Sequence, residues 1–454
     1  MTKRIVLIGG YGGHDIGDEA MLTTDLINLK KFIPNAEFLA LSPNPEYTSK
    51  FHKVDTYWDI SHYLSGFQVE QKEITSPHIQ QDILEEDAYE HQIQDNFILR
   101  VFKFAPRIFV KFNKILLLLL NAWILGKFNQ TFLLDEEGER LLVCLKNSDL
   151  LFNVGGGNIN GGFCDRFIVY MICRIFGNPT IVSGQTIGPF NGWLGKKAAG
   201  FVLNKVNVIT LRDTMSIKVI EEIGVDKPII KETADDAILL PPISQEEVED
   251  IFLIEKIKDH YPLIGINTNA YLNSILPNRS HELNKITQIL AKTADCLISE
   301  LGARIIFIPM DYNSDSDDRV YSYEVLKHME HKDKASIIIN GYDDRTLKGI
   351  IGRLDAGIGL RYHFVVFATT MQVPTIGMHL GEYYEMKMRG ILELMDQKDY
   401  AVDIGKTSPE EIVALVKDAL QNKEQIKRTL RERTKLLGER SLFTIKYAAE
   451  LLND

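Results

Sequence analysis

The sequence predicts an α/β protein built from two doubly wound domains that face each other across a cleft. Short runs that are apolar throughout alternate with helical patterns in the first half of the chain, and the same alternation starts again in the second half. Strands that are apolar on both faces are typical of a parallel sheet with helices on either side. The 454 residues also exceed what one hydrophobic core usually contains. We therefore expect a first domain over 1–243, a second over 250–430, and a terminal helix over 431–454 that packs back on the first domain.

The predicted strands are short and separated by helices. In the first domain they are Arg4 to Ile8, Glu37 to Leu41, Leu150 to Val154, Thr180 to Ser183, Val208 to Leu211 and Ile229 to Glu232. Helices are expected to begin near Asp18, Cys164, Trp193 and Thr214. In the second domain the strands are Leu263 to Asn267, Arg304 to Pro309, Ala335 to Ile339, Gly357 to Leu360, Thr375 to Met378 and Tyr400 to Asp403. Pro241-Pro242 and the acidic segment Gln245 to Asp250 interrupt this pattern and indicate the domain boundary.

The segment from about 60 to 130 does not follow the α/β repeat and is predicted to be a helical amphipathic insertion. It has no acidic residue between Phe97 and Lys127, and Pro106 is expected to kink it. Basic residues recur at steps of three and four, which places them on one helix face: Arg100, Lys103, Arg107, Lys111 and Lys114. Such a helix can lie on an anionic membrane surface through residues 97–128. Alternatively, it packs on the catalytic core, with its basic stripe matched by the acidic stretch before it.

Composition excludes several classes of protein. With 45% apolar and 25% charged residues the chain is an ordinary globular protein, and its net charge of −11 argues against general nucleic-acid binding. Its four cysteines form no CxxC pair, which indicates reduced thiols and a cytoplasmic protein. No apolar stretch reaches the ~18 residues of a membrane span, so membrane contact would be peripheral, on the inner face. No metal site is predicted, and the aspartates between 311 and 318 are expected in a solvated loop because they lack calcium-loop spacing.

Four segments at the ends of predicted strands in the first domain carry glycines or polar side chains. The turn from Gly9 to Met21 opens the first helix and contains Gly13, Asp15 and Asp18. The others are Asn153 to Gly162, with Gly156, Gly157 and Asn158; Gln185 to Pro189; and Arg212-Asp213 with Ser216. Each alone is explained by turn chemistry, and Asp18 by capping of its helix. Together they would line one edge of the sheet, where glycines let a ligand approach and helix N-termini attract anions.

Arg361 and His363 lie at the corresponding point of the second domain, where an apolar strand ends and a helix of small residues begins. Arginine can hold a carboxylate or phosphate in its fork, and histidine can transfer a proton near neutral pH. A buried ion pair beside a core histidine is the alternative interpretation. Because ligands of open parallel sheets collect beyond the carboxyl ends of the strands, the pair is a candidate active site for an anionic substrate.

Taken in order, these segments resemble the polysaccharide pyruvyl transferase family. The matching motifs are Gly17-Asp-Glu-Ala20, Gly155-Gly-Gly157, Gly184-Gln-Thr-Ile-Gly-Pro189, Leu211-Arg-Asp213 with Ser216, Ala234-Asp-Asp236, Ile308-Pro-Met310, Arg361-Tyr-His363 with Ala368, and Val373-Pro-Thr-Ile-Gly377. The resemblance implies two Rossmann-like domains similar to type B glycosyltransferases. It also implies transfer of a pyruvyl unit from phosphoenolpyruvate to two hydroxyls of a sugar in a cell-surface polysaccharide precursor. The products would be a ketal and phosphate, and no cofactor would be needed.

A donor with a carboxylate and a phosphate needs at least two cations and one group that moves protons. His363 is the candidate general acid or base, a role worth about 10²- to 10⁴-fold in rate. Arg361 and Arg212 are the candidate clamps, with Lys387 as a third. Asp18 is the candidate acceptor of a proton from an attacking hydroxyl. The candidate substrate-binding set is completed by Gly13, Asp15, Gly156, Gly157, Asn158 and Gln185.

Three features depart from the family pattern. Asp15 stands where family members usually carry asparagine, Lys387 comes later than the corresponding lysine, and the insertion has no recognised counterpart. Two alternative functions stay open. The first is a glycosyltransferase that uses a nucleotide sugar, since the same two-domain cleft would serve it. The second is a non-catalytic subunit of a polysaccharide assembly complex, which Asp15 and the insertion suggest. A basic insertion also fits a lipid-linked acceptor, because docking at the membrane would raise the effective concentration of that acceptor.

Overall fold

Two parallel β-sheets form the framework of the protein. The computed structural model describes residues 2–65, 97–161, 164–257, 262–270 and 279–453. The central strands are buried on both faces: Val6 and Leu7, neighbours in the first strand, point to opposite sides of the sheet and neither is exposed. The predicted fold class of two doubly wound α/β domains is confirmed.

The first sheet has eight strands. They are β1 (Arg4–Ile8), β2 (Glu37–Ser42), β3 (Asp55–Trp58), β4 (Leu150–Asn153), β5 (Gly156–Gly161), β6 (Thr180–Phe190), β7 (Val208–Leu211) and β8 (Ile229–Glu232). Their order is β3-β2-β1-β4-β6-β7-β8, β5 pairs with β6, and the pairs are parallel. Because the strand order reverses between β1 and β4, the loops that follow these two strands diverge and leave a crevice.

Two parts of this sheet differ from the prediction. β3 lies in a stretch where no α/β repeat is predicted, because it is short, partly exposed and lacks an apolar run. β6 continues to Phe190, so the segment Gln185 to Pro189 belongs to a strand and is not a loop. Gln185 pairs with both Gly156 of β5 and Leu211 of β7, which extends the ladder through polar residues.

The second sheet repeats the topology of the first. Its strands are β9 (Leu263–Asn267), β10 (Arg304–Phe307), β11 (Ala335–Ile337), β12 (Ala356–Gly359), β13 (Thr375–His379) and β14 (Ala401–Asp403). The order is β11-β10-β9-β12-β13-β14, with parallel pairs. The reversal between β9 and β12 creates a second crevice, which faces the first.

Helices flank both sheets. In the first half they are α1 (Ile16–Phe32), α2 (Pro45–His52), α3 (Ile60–Ser65), α4 (Phe97–Phe128), α5 (Glu136–Lys146), α6 (Arg166–Phe176), α7 (Gly192–Leu203) and α8 (Thr214–Glu222). In the second half they are α9 (Gln245–Ile254), α10 (Arg279–Leu301), α11 (Asp318–His328), α12 (Asp344–Ile351), α13 (Tyr362–Thr370), α14 (Glu382–Leu394), α15 (Pro409–Gln421) and α16 (Lys423–Asn453). Short 3-10 turns span Asp236–Leu239, Lys332–Lys334 and Lys398–Tyr400. α16 packs against α1 and the first of these turns, so the chain ends on the first domain.

The insertion contains one long helix, α4, which includes Pro106. The side chains of three basic residues of the predicted stripe lie outside the described residues: Arg100, Lys103 and Arg107. Lys111 pairs with Asp165, with Nζ and Oδ1 2.9 Å apart, and Lys114 donates to the carbonyl of Tyr63 over 2.7 Å. These two lysines hold α4 against the first domain, so they do not form an outward basic stripe. Lys111 is matched by Asp165, and the acidic stretch before the helix lies outside the described residues.

Between Phe112 and Trp123, α4 carries an exposed apolar row. Leu118 and Ala122 are buried against the domain, and a row of residues on the other side is 49–61% exposed: Phe112, Leu116, Leu120 and Trp123. Lys127 lies over the ring of Trp123, with 5.2 Å between Nζ and the ring centroid. In the part of the chain that the structure describes, no helix is long and apolar enough to cross a membrane.

Candidate active site

A cavity of about 930 Å³ lies where the carboxyl edges of the two sheets meet. The first domain contributes residues in and after β1, β4, β5 and β7: Asp15, Asp18, Gly157, Asn158, Asn160 and Arg212. The second domain contributes Asn269, Glu282, Met310, Asp311, Arg361, Tyr362, His363, Leu380, Gly381, Glu382, Tyr383, Tyr384 and Lys387. The cavity therefore lies at the reversal points of both sheets, where open α/β folds bind ligands.

Asp15 begins helix α1 and joins it to the second domain. Its Oδ1 accepts hydrogen bonds from the backbone N–H groups of Gly17 (2.9 Å) and Asp18 (3.3 Å), donors that a helix start would otherwise leave unpaired. Its Oδ2 lies 3.2 Å from Nη1 of Arg361. The helix cap is thus Asp15 and not Asp18, which leaves the carboxylate of Asp18 to face the cavity.

Arg361 is surrounded by carboxylates. Its Nε and Nη2 each donate over 2.9 Å to Asp318, Nη2 lies 3.0 Å from Asp311, and Nη1 contacts Asp15 as described above. Burial raises the pKa of Asp318 to about 6, although the guanidinium lowers it. Because its fork is already paired, Arg361 lines the cavity without offering a vacant two-pronged site to an anionic substrate.

Arg212 is buried at the end of β7. Its Nη1 lies 2.5 Å from Oδ2 of Asp235, and its Nε donates to Oγ1 of Thr186 over 2.9 Å. Tyr362 from the second domain lies over the guanidinium, with 4.6 Å between the guanidinium carbon and the ring centroid. These contacts fix the plane of the guanidinium and direct Nη2 toward the backbone of Gly157.

A second cation reaches the same point from the opposite domain. A Cβ placed on Gly157 would lie 3.3 Å from Nη2 of Arg212, 3.3 Å from Nζ of Lys387 and 3.2 Å from the hydroxyl of Tyr383. Lys387 forms no ion pair with the described residues, and its Nζ rests over the ring of Tyr383 at 5.2 Å. Two cations and a hydroxyl around a backbone without a side chain make a site for a small anion.

His363 lies in the first turn of α13 and packs against the start of α1. Its Nε2 is sealed from solvent and lies 3.6 Å from Oδ2 of Asp235. Its Nδ1 lies against Gly17, where an added Cβ would come within 1.7 Å of that nitrogen. Only a glycine at position 17 leaves room for the imidazole.

Nearby charges in the cavity affect the pKa of Asp18. Burial and the neighbouring Asp15 raise the pKa of Asp18 to about 6, while His363, Lys387 and Arg212 act in the opposite direction. A carboxylate that titrates near neutrality can both accept a proton and release it. The cavity therefore holds an anion site beside two groups that can move protons.

Comparison with known proteins identifies the family. The sequence pattern of the polysaccharide pyruvyl transferase family matches residues 16–379. The chain belongs to this family. It is also similar to the amylovoran biosynthesis protein AmsJ of Erwinia amylovora, with 22% identity over 307 residues that cover 65% of this chain and 72% of that protein. This pyruvyl transferase family member is therefore a transferase with a role in polysaccharide modification, as the resemblance implied.

Solved structures share the two-domain fold of this protein. Anabaena Alr3699/HepE in complex with UDP and glucose superimposes with a TM-score of 0.52 and 10% identity, and 99% of each chain is covered. The UDP-GlcNAc 2-epimerase from Neisseria meningitidis bound to UDP-GlcNAc gives a TM-score of 0.56 and 10% identity, with 100% of each chain covered. At this identity the likeness concerns the fold alone, and it agrees with the expected type B glycosyltransferase architecture.

Most predicted site residues line the cavity, but three do not. Gln185 is 2% exposed and donates to the carbonyl of Val154 over 2.7 Å, so it supports the glycine-rich loop from behind. Gly156 is buried within that loop, and the carbonyl of Gly13 accepts from Nδ2 of Asn313 over 3.3 Å, which ties the domains together. The predicted residues that the structure brings together are Asp15, Asp18, Gly157, Asn158, Arg212, Arg361, His363 and Lys387.

The sequence analysis missed three parts of this candidate site. Asp235 contacts residues of both domains, and its signal is the Ala234-Asp-Asp236 motif just after β8. Tyr383 lies one helical turn before the lysine of α14 and shares its face. The predicted solvated loop is wrong for Asp311 and Asp318, which are buried because an arginine neutralises them. Among the described residues no group of three or more His, Cys, Asp or Glu side chains is placed to hold a metal ion.

Proposed function

We propose that this protein transfers a pyruvyl unit from phosphoenolpyruvate to two hydroxyls of a sugar in a cell-surface polysaccharide precursor, forming a ketal and releasing phosphate. One observation carries the proposal: Arg212, Lys387 and Tyr383 converge on the backbone of Gly157 from opposite domains. Phosphoenolpyruvate carries a phosphate and a carboxylate, so its binding needs more than one cation in a small space. Family membership supports the reaction class.

The cations of the cavity have different roles in this proposal. Arg212 and Lys387 bind the donor, because Nη2 of the first and Nζ of the second face the cavity beside a glycine. Arg361 keeps its carboxylate partners and aligns the two domains, so it acts on the donor only through the geometry that it maintains. This assignment moves the clamp function from Arg361, where the sequence predicts it, to Lys387.

The chemistry needs one proton delivered to carbon and two removed from hydroxyls. His363 protonates the methylene carbon of the donor, and positive charge develops on the neighbouring carbon. One sugar hydroxyl attacks that carbon while Asp18 accepts its proton. The C–O bond to phosphate breaks with its electron pair on the phosphate, and the second hydroxyl attacks the same carbon to close the ketal. One of the two hydroxyl protons returns to the protein and restores the proton that His363 gave to the new methyl group. The other hydroxyl proton leaves with phosphate.

Other polar groups of the cavity suit a sugar acceptor. Amides and carboxylates form hydrogen bonds with hydroxyl groups, and the lining includes Asn158, Asn160, Asn269 and Glu282. We place the acceptor against these side chains, with its reacting hydroxyl pair directed at Asp18.

Release of inorganic phosphate from phosphoenolpyruvate, measured with a panel of sugar acceptors, tests the proposal. We expect release that requires both donor and acceptor, with one ketal formed for each phosphate. Release of a nucleoside diphosphate from a sugar nucleotide, without use of phosphoenolpyruvate, would identify a glycosyltransferase instead. Turnover of neither donor, with a polysaccharide assembly complex that still forms, would indicate a non-catalytic subunit.

We further propose that the outer face of α4 contacts the cytoplasmic surface of the membrane, close to a lipid-linked acceptor. The exposed row of Phe112, Leu116, Leu120 and Trp123 supports this contact, as does the exposed Lys127 at its end. An apolar row next to a cation suits an interface in which side chains enter the lipid while the ammonium group meets a headgroup.

Co-sedimentation with anionic phospholipid vesicles tests this contact. The double variant Phe112→Ser with Leu116→Ser should lose sedimentation. The matched control, Leu253→Ser with Ile254→Ser, changes two residues of α9 that are 76% and 63% exposed and should retain it. Equal sedimentation of both variants would contradict the proposal. Point variants are preferable to removing the insertion, because Leu118 and Ala122 belong to the core.

A further inference from the structure

Asp235 occupies a fixed position beneath the cavity. It follows β8, is fully buried, and caps the 3-10 turn Asp236–Leu239 by accepting from the backbone N–H of Ala237 over 3.0 Å through Oδ1. This bond sets the rotation of the carboxylate and directs Oδ2 away from the turn. The carboxylate is therefore held by its own backbone, independently of any substrate.

Oδ2 of Asp235 lies close to a basic residue of each domain. It lies 2.5 Å from Nη1 of Arg212 in the first domain and 3.6 Å from Nε2 of His363 in the second. Burial alone would raise the pKa of Asp235, but Arg212 and His363 hold it below its usual range. The group is thus an anion that can only accept hydrogen bonds.

An acceptor at this point decides which nitrogen of His363 carries the proton. Nε2 faces the carboxylate, is sealed from solvent and has no other partner, so it must be the N–H nitrogen of the neutral ring. Nδ1, which lies beside Gly17, is then the nitrogen that takes up and delivers a proton. Asp18 of α1 interacts electrostatically with His363 and is the acid–base partner proposed above.

We propose that Asp235 is a positioning residue that fixes the tautomer and orientation of His363 while it holds Arg212. One buried carboxylate thus orients both the ring that transfers protons and the arginine that binds the donor. Asp235 does not touch the substrate. This inference rests on the proposed pyruvyl transfer for its kinetic consequences. The protonation site of His363 follows from the geometry alone.

Asp235→Asn tests the inference by kinetics, because it keeps the size of the side chain and removes the charge. The amide has no charge with which to neutralise Arg212, and it no longer fixes the proton of His363 on Nε2. We therefore expect kcat to fall about 10²- to 10⁴-fold. KM for phosphoenolpyruvate should change much less than kcat, because Thr186 and Tyr362 still hold the guanidinium of Arg212. A kcat that is unchanged, or a rise in KM alone, would overturn the proposal.

Asp236→Asn is the matched control. Asp236 is the adjacent buried carboxylate, but it bonds with Ser183 and Ser441 and contacts neither Arg212 nor His363 within ion-pair distance. Burial raises the pKa of Asp236 to about 7, so a neutral amide resembles its protonated form. Both kcat and KM should match the parent protein. A loss of turnover equal to that of Asp235→Asn would show a general structural effect and overturn the positioning role.

Nitrogen-15 NMR of the His363 ring gives a readout that does not require turnover. In the parent protein the neutral ring should carry its proton on Nε2, and in Asp235→Asn the share with the proton on Nδ1 should increase. A parent protein with the proton on Nδ1 would overturn the inference, whether or not the variant folds. If the parent does not use phosphoenolpyruvate, the proposed function fails while this comparison still decides the role of Asp235.

Discussion

Replacing Gly17 by alanine should displace the imidazole of His363 and slow the reaction without weakening donor binding. The new methyl carbon would stand 1.7 Å from Nδ1 and 2.2 Å from Cγ of His363, whereas ordinary contact begins at 3.4 Å. The ring would therefore have to move by roughly 1.7 Å, and a misplacement of about 1 Å already costs on the order of 10²-fold in rate. We expect kcat to fall at least about 10²-fold, which corresponds to about 2.7 kcal/mol of transition-state stabilisation.

The kinetics of Gly17→Ala separate this explanation from general damage. Alanine is the better helix former by about 1 kcal/mol, so a poorer helix cannot account for the loss. KM for phosphoenolpyruvate should change little, because Arg212 and Lys387 do not contact Gly17. Gly341→Ala is the control, since nothing lies within 4 Å of its added methyl group. A correctly folded Gly17→Ala protein with kcat within about twofold of the parent would refute the reasoning.

Three further predictions follow from the same geometry. Lys387→Ala should raise KM for phosphoenolpyruvate about 10- to 100-fold through loss of a charge-assisted bond, while Lys406→Ala, at a side chain that is 84% exposed, should not. Burial, and after it the charge of Asp15, raise the pKa of Asp18 to about 6. Asp15→Asn removes that charge, so the acidic limb of the pH profile of kcat/KM should move to lower pH. If the limb does not move, Asp18 is not the group that causes it. Burial raises the pKa of Asp236 to about 7 from 3.8, so the folded state binds this proton more tightly. The free energy of unfolding should therefore rise as pH falls from about 7 toward 4, and calorimetry of Asp236→Asn should show a smaller rise.

The fold was predictable because parallel strands leave a simple trace in the sequence. β1, β7 and β9 are largely buried, and the predicted ends of these strands and of β8 coincide with the observed ends. β3 was not predictable, since a partly exposed strand at the edge of a sheet needs no apolar run. The polar second half of β6 was also missed, because its place in the sheet depends on pairing with β5 and β7 and not on apolar side chains.

The residues that line the site were predictable, but the ion pairs that they form were not. Parallel topology brings the carboxyl ends of the strands to one edge, so residues that follow those strands must meet. Which charge neutralises which is a different question: Arg361 and Asp15 are 346 positions apart, and no local pattern relates them. The same limit applies to α4, where spacing correctly places Lys111 and Lys114 on one face but cannot say that this face is directed inward.

The carboxylates around Arg361 explain how this arginine affects catalysis without binding the donor. Buried carboxylates are stable only when charge and hydrogen bonds compensate them. Asp318 accepts from the backbone N–H of Met310 (3.0 Å) and Ala270 (3.1 Å), and Asp311 accepts from Ser316 over 2.7 Å. Asp15 adds the start of α1. The guanidinium therefore joins helix α1 of the first domain to the segments of the second domain that contain Ala270, Met310 and Ser316.

Arg361→Ala should consequently act on the whole domain junction. It would leave three carboxylates facing each other without a cation, and loss of one partner of a buried pair costs about 3–5 kcal/mol. We expect a lower unfolding temperature and a loss of kcat, in contrast to Lys387→Ala, which should change KM and leave stability intact. Removing one of the repelling charges with Asp15→Asn should restore part of the stability lost in Arg361→Ala, so the two changes should be non-additive in a double-mutant cycle. Additive losses, or a stable Arg361→Ala protein with only a raised KM, would mean that Arg361 binds the donor directly.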